Sequence, residues 1–219
     1  MNQKPQATIF AGTNGTGKTT LYYQELENGK EFGYRINIDE FVSSFGDWRE
    51  AKDQIRASKI AIRLREQYIK ERKDFNIETT LCGNSILSLF KELKEKDYFI
   101  TLYYIGLDNP EIAKERVKIR VKKGGHNVEE NKIEERYYKS LKNLEVILPF
   151  CDKLIIFDNS KELAKIFEGF KDENSKITIT LKSPRQWLDK TINNLTKEGD
   201  TYPKGARETL EALAKYYTK

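Results

Sequence analysis

Little in this chain is suited to cross-linking or to metal-ligand clusters. Among 219 residues there are two cysteines, Cys82 and Cys151, far apart and in no C-x-x-C pair. That spacing suggests neither a disulfide framework nor a zinc site, and both thiols are expected to be small core residues. His126 is the only histidine, and a lone loop histidine is expected to be a surface hydrogen-bonding residue rather than a catalyst. No apolar run approaches the roughly 20 residues that span a bilayer, and no apolar segment follows Met1 as in a secretory leader. With 38% hydrophobic and 33% charged residues, the expectation is a soluble, cytoplasmic protein without membrane contact. A net charge of +5 is too small by itself to indicate a nucleic-acid partner, so the clustering of charge matters more. Repeats and low-complexity linkers are also lacking. The length fits one domain over residues 1–219 with a less certain C-terminal appendage over 161–219.

What is present is alternation. Apolar, β-rich runs at Thr8–Ala11, Tyr34–Ile38, Phe75–Leu81, Tyr98–Leu107 and Leu154–Phe157 are separated by helical patterns, which indicates an α/β protein with a mostly parallel sheet. Helices are expected at Lys18–Asn28 and at Trp48–Lys73, where Ala51, Ile55, Ile62 and Ile69 recur at near-heptad spacing. Asn84 is expected to cap a third helix, and Asn109-Pro110 to open a fourth that ends at Gly124-Gly125. A fifth runs from about Glu129 to Leu148 and stops at Pro149. Leu163–Phe170 and Lys176–Leu181 suggest a hairpin, followed by two short helices.

The stretch Gly12-Thr13-Asn14-Gly15-Thr16-Gly17-Lys18-Thr19 matches G-x-x-x-x-G-K-[ST], with Thr20 beyond it. Glycines let the backbone curl so that N–H groups meet phosphate oxygens, Lys18 reaches the β- and γ-phosphates, and Thr19 offers a hydroxyl to Mg²⁺. The strand before and the helix after are the context this motif requires. Residues 12–20 are therefore the expected nucleotide site, with Mg²⁺ and ATP or GTP as cofactors. A dinucleotide loop is disfavoured, because G-x-G-x-x-G from Gly15 needs glycine where Thr20 stands.

Around the loop stand candidate reactive groups. Asp39 lies in "INIDE" at the carboxyl end of the second strand, where ligands of open α/β sheets bind. It suits a base that takes the proton of an acceptor hydroxyl; its alternative role is N-cap of a helix beginning at Glu40. Glu78 sits in the third strand, where a carboxylate needs a partner, and could bind a substrate hydroxyl or a metal-bound water. Its alternative is a solvent-facing position on an edge strand. Thr79 is an ordinary strand residue that could assist.

Six of the ten residues from Lys114 to Lys123 are basic, and Arg116, Arg120 and Lys123 fall on one helical face. Beside the hinge-like Gly124-Gly125 they suit a mobile lid, about residues 110–139, that brings arginines to phosphate; a solvated face is the plainer alternative. Arg136 on the next helix is a further basic candidate.

Together, "IFAGTNGTGKTT", "INIDE", "FNIETTLCG", "RVKIRVKKGGHNVEENKIEERYYKSLKNL" and "FDNS" resemble the zeta toxin family of P-loop kinases from about Ala7 to Ser160. The resemblance implies a P-loop kinase fold with a helical lid and phosphorylation of the sugar 3′-hydroxyl of UDP-N-acetylglucosamine. It also implies that Lys18 and Thr19 hold ATP and Mg²⁺, Asp39 is the base, Glu78 contacts the acceptor, and Arg116 and Arg120 bind phosphates. Arg136 competes with Arg120 for the second lid position, and Glu129 stands where the family commonly has proline. The expected partners are a nucleotide and an anionic small-molecule acceptor, with an antitoxin protein as a further candidate. Two other readings remain open: a kinase for another small molecule or a nucleic-acid end, and a nucleotide-gated binding module. Nucleic acid is disfavoured because the helix carrying Arg56, Lys59, Arg63 and Arg72 lacks interleaved aromatics.

Overall fold

A computed structural model describes residues 4–171 and 177–193. In chain order the elements are β1 (Gln6–Ala11), α1 (Lys18–Glu27), β2 (Tyr34–Ile36), α2 (Ile38–Phe45), α3 (Ala51–Lys70), β3 (Phe75–Thr79) and α4 (Asn84–Glu95). They continue with β4 (Phe99–Gly106), α5 (Pro110–Lys122), α6 (Glu130–Ile147), β5 (Lys153–Asp158), β6 (Ala164–Lys171), β7 (Ile177–Lys182) and α7 (Gln186–Asn193). The strands form one sheet in the order β2-β3-β1-β4-β5-β6-β7. The pairings from β2 to β5 are parallel, and β6 and β7 join antiparallel.

The central strands are apolar along their length because helices cover both faces. Side chains alternate between the two layers. Ile9 and Ala11 of β1, with Leu102 and Tyr104 of β4, join the larger core with Phe90 and Leu93 of α4 and Leu144 and Ile147 of α6. Phe10, Tyr103 and Ile105 face the opposite layer with Leu21 and Tyr22 of α1. Phe10 stacks on Tyr103 at 4.9 Å and 18°. Each large side chain buried this way contributes about 1.5–3 kcal/mol, which fixes the strand ends that carry the loops described below.

Several boundaries differ from the sequence reading. The second strand stops at Ile36 rather than Ile38, because Asn37 turns the chain and caps α2, its side chain accepting from the Asp39 amide at 2.9 Å. The helix expected from Trp48 to Lys73 spans Ala51–Lys70, which frees Trp48 for the loop before it. Asn84 is the first residue of α4 rather than its cap; Gly83 holds that place without a side-chain bond. Asn109 does cap α5, accepting from the Ile112 amide at 3.2 Å. The hairpin forms as β6 and β7 and extends the main sheet. Its tip at 172–176 and the second short helix lie outside the described residues.

Candidate active site

β1, β3 and β4 lie side by side, and the loop from Gly12 to Lys18 leaves the carboxyl end of β1 into the crevice that this layout creates. Gly12 adopts φ +143, and a Cβ there would lie 2.3 Å from the Ile105 carbonyl oxygen. At Gly15, a Cβ would come within 2.8 Å of the Ala113 carbonyl of α5. The loop therefore curls only because these positions carry no side chain, and it rests directly against α5. Thr16 Oγ1 donates to the Thr13 carbonyl at 3.0 Å, and Asn159 Nδ2 donates to the Thr16 carbonyl at 2.9 Å.

Lys18 is buried, and its Nζ donates to the Thr13 carbonyl at 3.0 Å. Burial pushes its pKa down, while the charges of Glu78 and Asp39 act in the opposite direction. Thr13 Oγ1 is buried and has no hydrogen-bond partner among the described residues. An ammonium without a salt bridge among the described residues and an orphaned hydroxyl in one curled loop fit the phosphates of a nucleotide.

Thr19, in the first turn of α1, donates its Oγ1 proton to Glu78, with Oε1 at 3.0 Å and Oε2 at 2.9 Å. Among the described residues there is no group of three or more histidine, cysteine or acidic side chains that could hold a metal alone. The donor set suits Mg²⁺ held by the Thr19 hydroxyl with the remaining oxygens coming from the nucleotide, as is usual for that ion.

The two carboxylates of the sequence reading are placed differently from each other. Asp39 lies in the first turn of α2 and is exposed toward the crevice, near enough to Lys18 and His126 to act on their charges. It is not the N-cap; Asn37 is. Glu78 is not on an edge strand, since β3 lies between β2 and β1, and its side chain is 10% exposed. It accepts from Arg35 Nη2 at 3.0 Å and Asn37 Nδ2 at 3.0 Å in addition to Thr19. Thr79 Oγ1 accepts from the Leu81 amide at 3.0 Å, a local turn. Thr20 is exposed on α1.

The arginines of α5 and α6 divide their contacts. Arg120 Nη2 donates to the His126 carbonyl at 2.7 Å, and its Nε is buried without a partner among the described residues. Arg136 Nη1 donates to Asn14 Oδ1 at 2.9 Å, tying α6 to the phosphate loop. Arg116 has no hydrogen bond or ion pair among the described residues and is half-buried. His126, expected on the surface, stacks on Trp48 instead. Cys82, expected in the core, is half-buried beside the crevice and donates to the Thr80 and Arg136 carbonyls at 3.2 and 3.3 Å. Cys151 is buried as expected.

Arg35, Asn37 and Trp48 were missed in the sequence. Arg35 carries the one available signal, a lone cation in a short apolar strand that could answer the Glu78 carboxylate.

A phosphate loop on a parallel sheet, a carboxylate across the crevice and arginines on an adjoining helical hairpin make this a P-loop kinase. The sequence model of the family Zeta toxin matches residues 1–169, and the chain belongs to that family. An uncharacterized protein of Haemophilus influenzae is 36% identical over 132 residues, covering 60% of this chain and 92% of that one. A chain of the PezAT chromosomal toxin-antitoxin system of Streptococcus pneumoniae has a TM-score of 0.60 at 15% identity, covering 99% of this chain and 87% of that one. The AvrRxo1-ORF1:-ORF2 structure with ATP gives 0.62 at 16% identity over 98% and 77%. Similarity to the Pnkp1/Rnl/Hen1 RNA repair complex has a TM-score of 0.54 at 20% identity and covers 66% of this chain, which spans about half (47%) of that polypeptide. At these identities the structural likenesses establish the fold alone. No helix among the described residues is long and apolar enough to cross a membrane.

Proposed function

We propose that the protein transfers the γ-phosphoryl group of ATP or GTP to a hydroxyl of an anionic small molecule, with a nucleotide sugar such as UDP-N-acetylglucosamine as the acceptor. The observation that carries this reading is that Asp39 and Arg120 both lie within electrostatic reach of the buried Lys18. A hydrolase needs no base aimed at an organic hydroxyl; a kinase does.

In this reading Lys18 and the loop amides bind the β- and γ-phosphates, and the buried Thr13 hydroxyl gains a phosphate oxygen as its acceptor. Thr19 would hold Mg²⁺ through its hydroxyl, and the ion would supply charge neutralisation at the nucleotide phosphates. Asp39, solvated and unprotected by any cap role, accepts the proton of the acceptor hydroxyl. Arg116, free of ion pairs among the described residues, and Arg120, held only by the His126 loop, supply cations for the transferring group and for acceptor phosphates. Arg136 reports on the loop through Asn14. The family and the neighbours' toxin-antitoxin settings support a toxin role with an antitoxin partner.

The test is mass spectrometry of a metabolite extract incubated with protein, Mg²⁺ and ATP. One new species heavier by a single phosphate is expected, absent with Asp39→Asn. Unchanged turnover in that variant removes Asp39 as the base.

A further inference from the structure

We propose that Arg35 is a positioning residue of the cation site: it fixes the Glu78 carboxylate as the acceptor of the Thr19 proton, which leaves the Thr19 oxygen lone pairs for the divalent cation of a bound nucleotide. This rests on the nucleotide reading above and adds to it a residue that no phosphate-loop motif contains.

The argument starts with the hydroxyl. Thr19 Oγ1 has one proton and two lone pairs, and both Glu78 oxygens lie within 3.0 Å of it. An ionised carboxylate is acceptor-only, so the proton is committed to Glu78 and the lone pairs are not used by it. A ligand whose proton is held by an outer carboxylate is oriented and made a better donor. Glu78 is therefore the lever on Thr19, and what holds Glu78 sets the geometry.

Arg35 holds it. The register pairs Arg35 with Asn76, putting Glu78 diagonally opposite on the same face of the sheet. Arg35 Nη1 donates to Asn76 Oδ1 at 3.1 Å and Nη2 to Glu78 Oε2 at 3.0 Å, while Nε and Nη2 take Glu40 Oε1 at 2.9 and 2.7 Å. Its guanidinium carbon lies 3.5 Å from the centre of the Tyr22 ring. Burial works against the charge of Arg35, but the hydrogen bonds and charges of Glu40 and Glu78 outweigh it and raise the pKa. The fork is thus fixed in plane by three side chains and over its face by a fourth.

Asn37 closes the network. Its Nδ2 reaches Glu40 Oε1 at 3.1 Å and Glu78 Oε2 at 3.0 Å, while its Oδ1 caps α2 at Asp39. The turn that presents Asp39 and the turn that presents Thr19 are therefore parts of one hydrogen-bonded unit. Glu78 Oε2 already lies within hydrogen-bond distance of Thr19, Arg35 and Asn37, so this oxygen acts through Thr19.

The experiment is calorimetric titration of the full chain with ADP, with and without Mg²⁺, which reads cation coupling without turnover. Arg35→Ala should reduce the Mg²⁺ enhancement of ADP affinity by about ten-fold or more, the usual cost of losing an outer-shell partner, while Mg²⁺-free ADP affinity stays unchanged. Arg35→Lys, which keeps the charge but not the fork, should recover part of the coupling. If Arg35→Ala does not fold, Glu40→Gln decides, since it loosens only the far side of the fork; a smaller loss of coupling is expected. Full Mg²⁺ enhancement in Arg35→Ala, or in Glu40→Gln where that variant decides, overturns the role of Arg35 and leaves the nucleotide reading intact. Absence of ADP binding in the unaltered protein overturns both.

Discussion

Trp48 and His126 stack with ring centroids 4.3 Å apart and planes inclined by 22°, joining the loop between α2 and α3 to the loop between α5 and α6. Arg120 holds the same histidine through its carbonyl at 2.7 Å and faces its Nδ1 at 3.4 Å. The α5–α6 loop is thus latched to the side of the crevice that carries Asp39 through this aromatic pair.

That latch is pH-sensitive in a defined direction. Burial lowers the pKa of His126, the charges of Arg120 and Arg136 act the same way, and Asp39 opposes them. A folded-state pKa below the unfolded value means the contribution of the neutral ring is full above pH about 6.5 and is lost as pH falls through the folded value. Because His126 is the only histidine, its ring resonance in a proton NMR titration needs no assignment. A midpoint below about 6.5 is expected; one at or above it contradicts the burial of the ring in the latch.

Replacing Asp39 with asparagine separates chemistry from folding. Asn37 supplies the cap of α2, so the loss in stability should stay below about 1 kcal/mol, the value of a first-turn carboxylate. Turnover should fall by about 10²–10⁴-fold with ATP binding retained. Thermal unfolding and steady-state kinetics on the same preparation check both halves.

A methyl group at Gly12 should act on the loop itself. A Cβ there meets the Ile105 carbonyl at 2.3 Å in a backbone conformation with φ +143. Gly12→Ala is expected to cost about 1–3 kcal/mol and to abolish ADP binding in calorimetry. Binding at unaltered affinity would show that the loop does not need this close approach.

Behind the crevice, Leu81 is fully buried with φ +60, and its carbonyl accepts from Asn143 Nδ2 at 2.7 Å. Removing the donor leaves a buried carbonyl unpaired. Asn143→Ala should destabilise the protein by about 1–3 kcal/mol, measured by denaturant unfolding.

The sequence made the sheet legible because its strands are buried on both faces and so appear as apolar runs. The phosphate loop was equally legible, since glycine, lysine and threonine spacing encodes local backbone chemistry. Less visible was anything depending on a turn inside an apolar run. "INIDE" looks like continuing strand, yet Asn37 ends it and starts α2, and that one asparagine decides where Asp39 stands. Arg35 acts on Glu78 across 43 residues of chain, a relation that periodicity cannot carry. Trp48 looked like the start of a helix, and its role in the latch arises only because α3 begins at Ala51.

The central claim is that the γ-phosphoryl group passes to an organic hydroxyl and not to water. It is tested most directly by incubating the protein with Mg²⁺, γ-labelled ATP and UDP-N-acetylglucosamine and separating labelled products. The expected result is label in a phosphorylated nucleotide sugar, lost in both Lys18→Ala and Asp39→Asn. Label appearing solely as inorganic phosphate, at a rate independent of acceptors in UDP-N-acetylglucosamine or a metabolite extract, would contradict it.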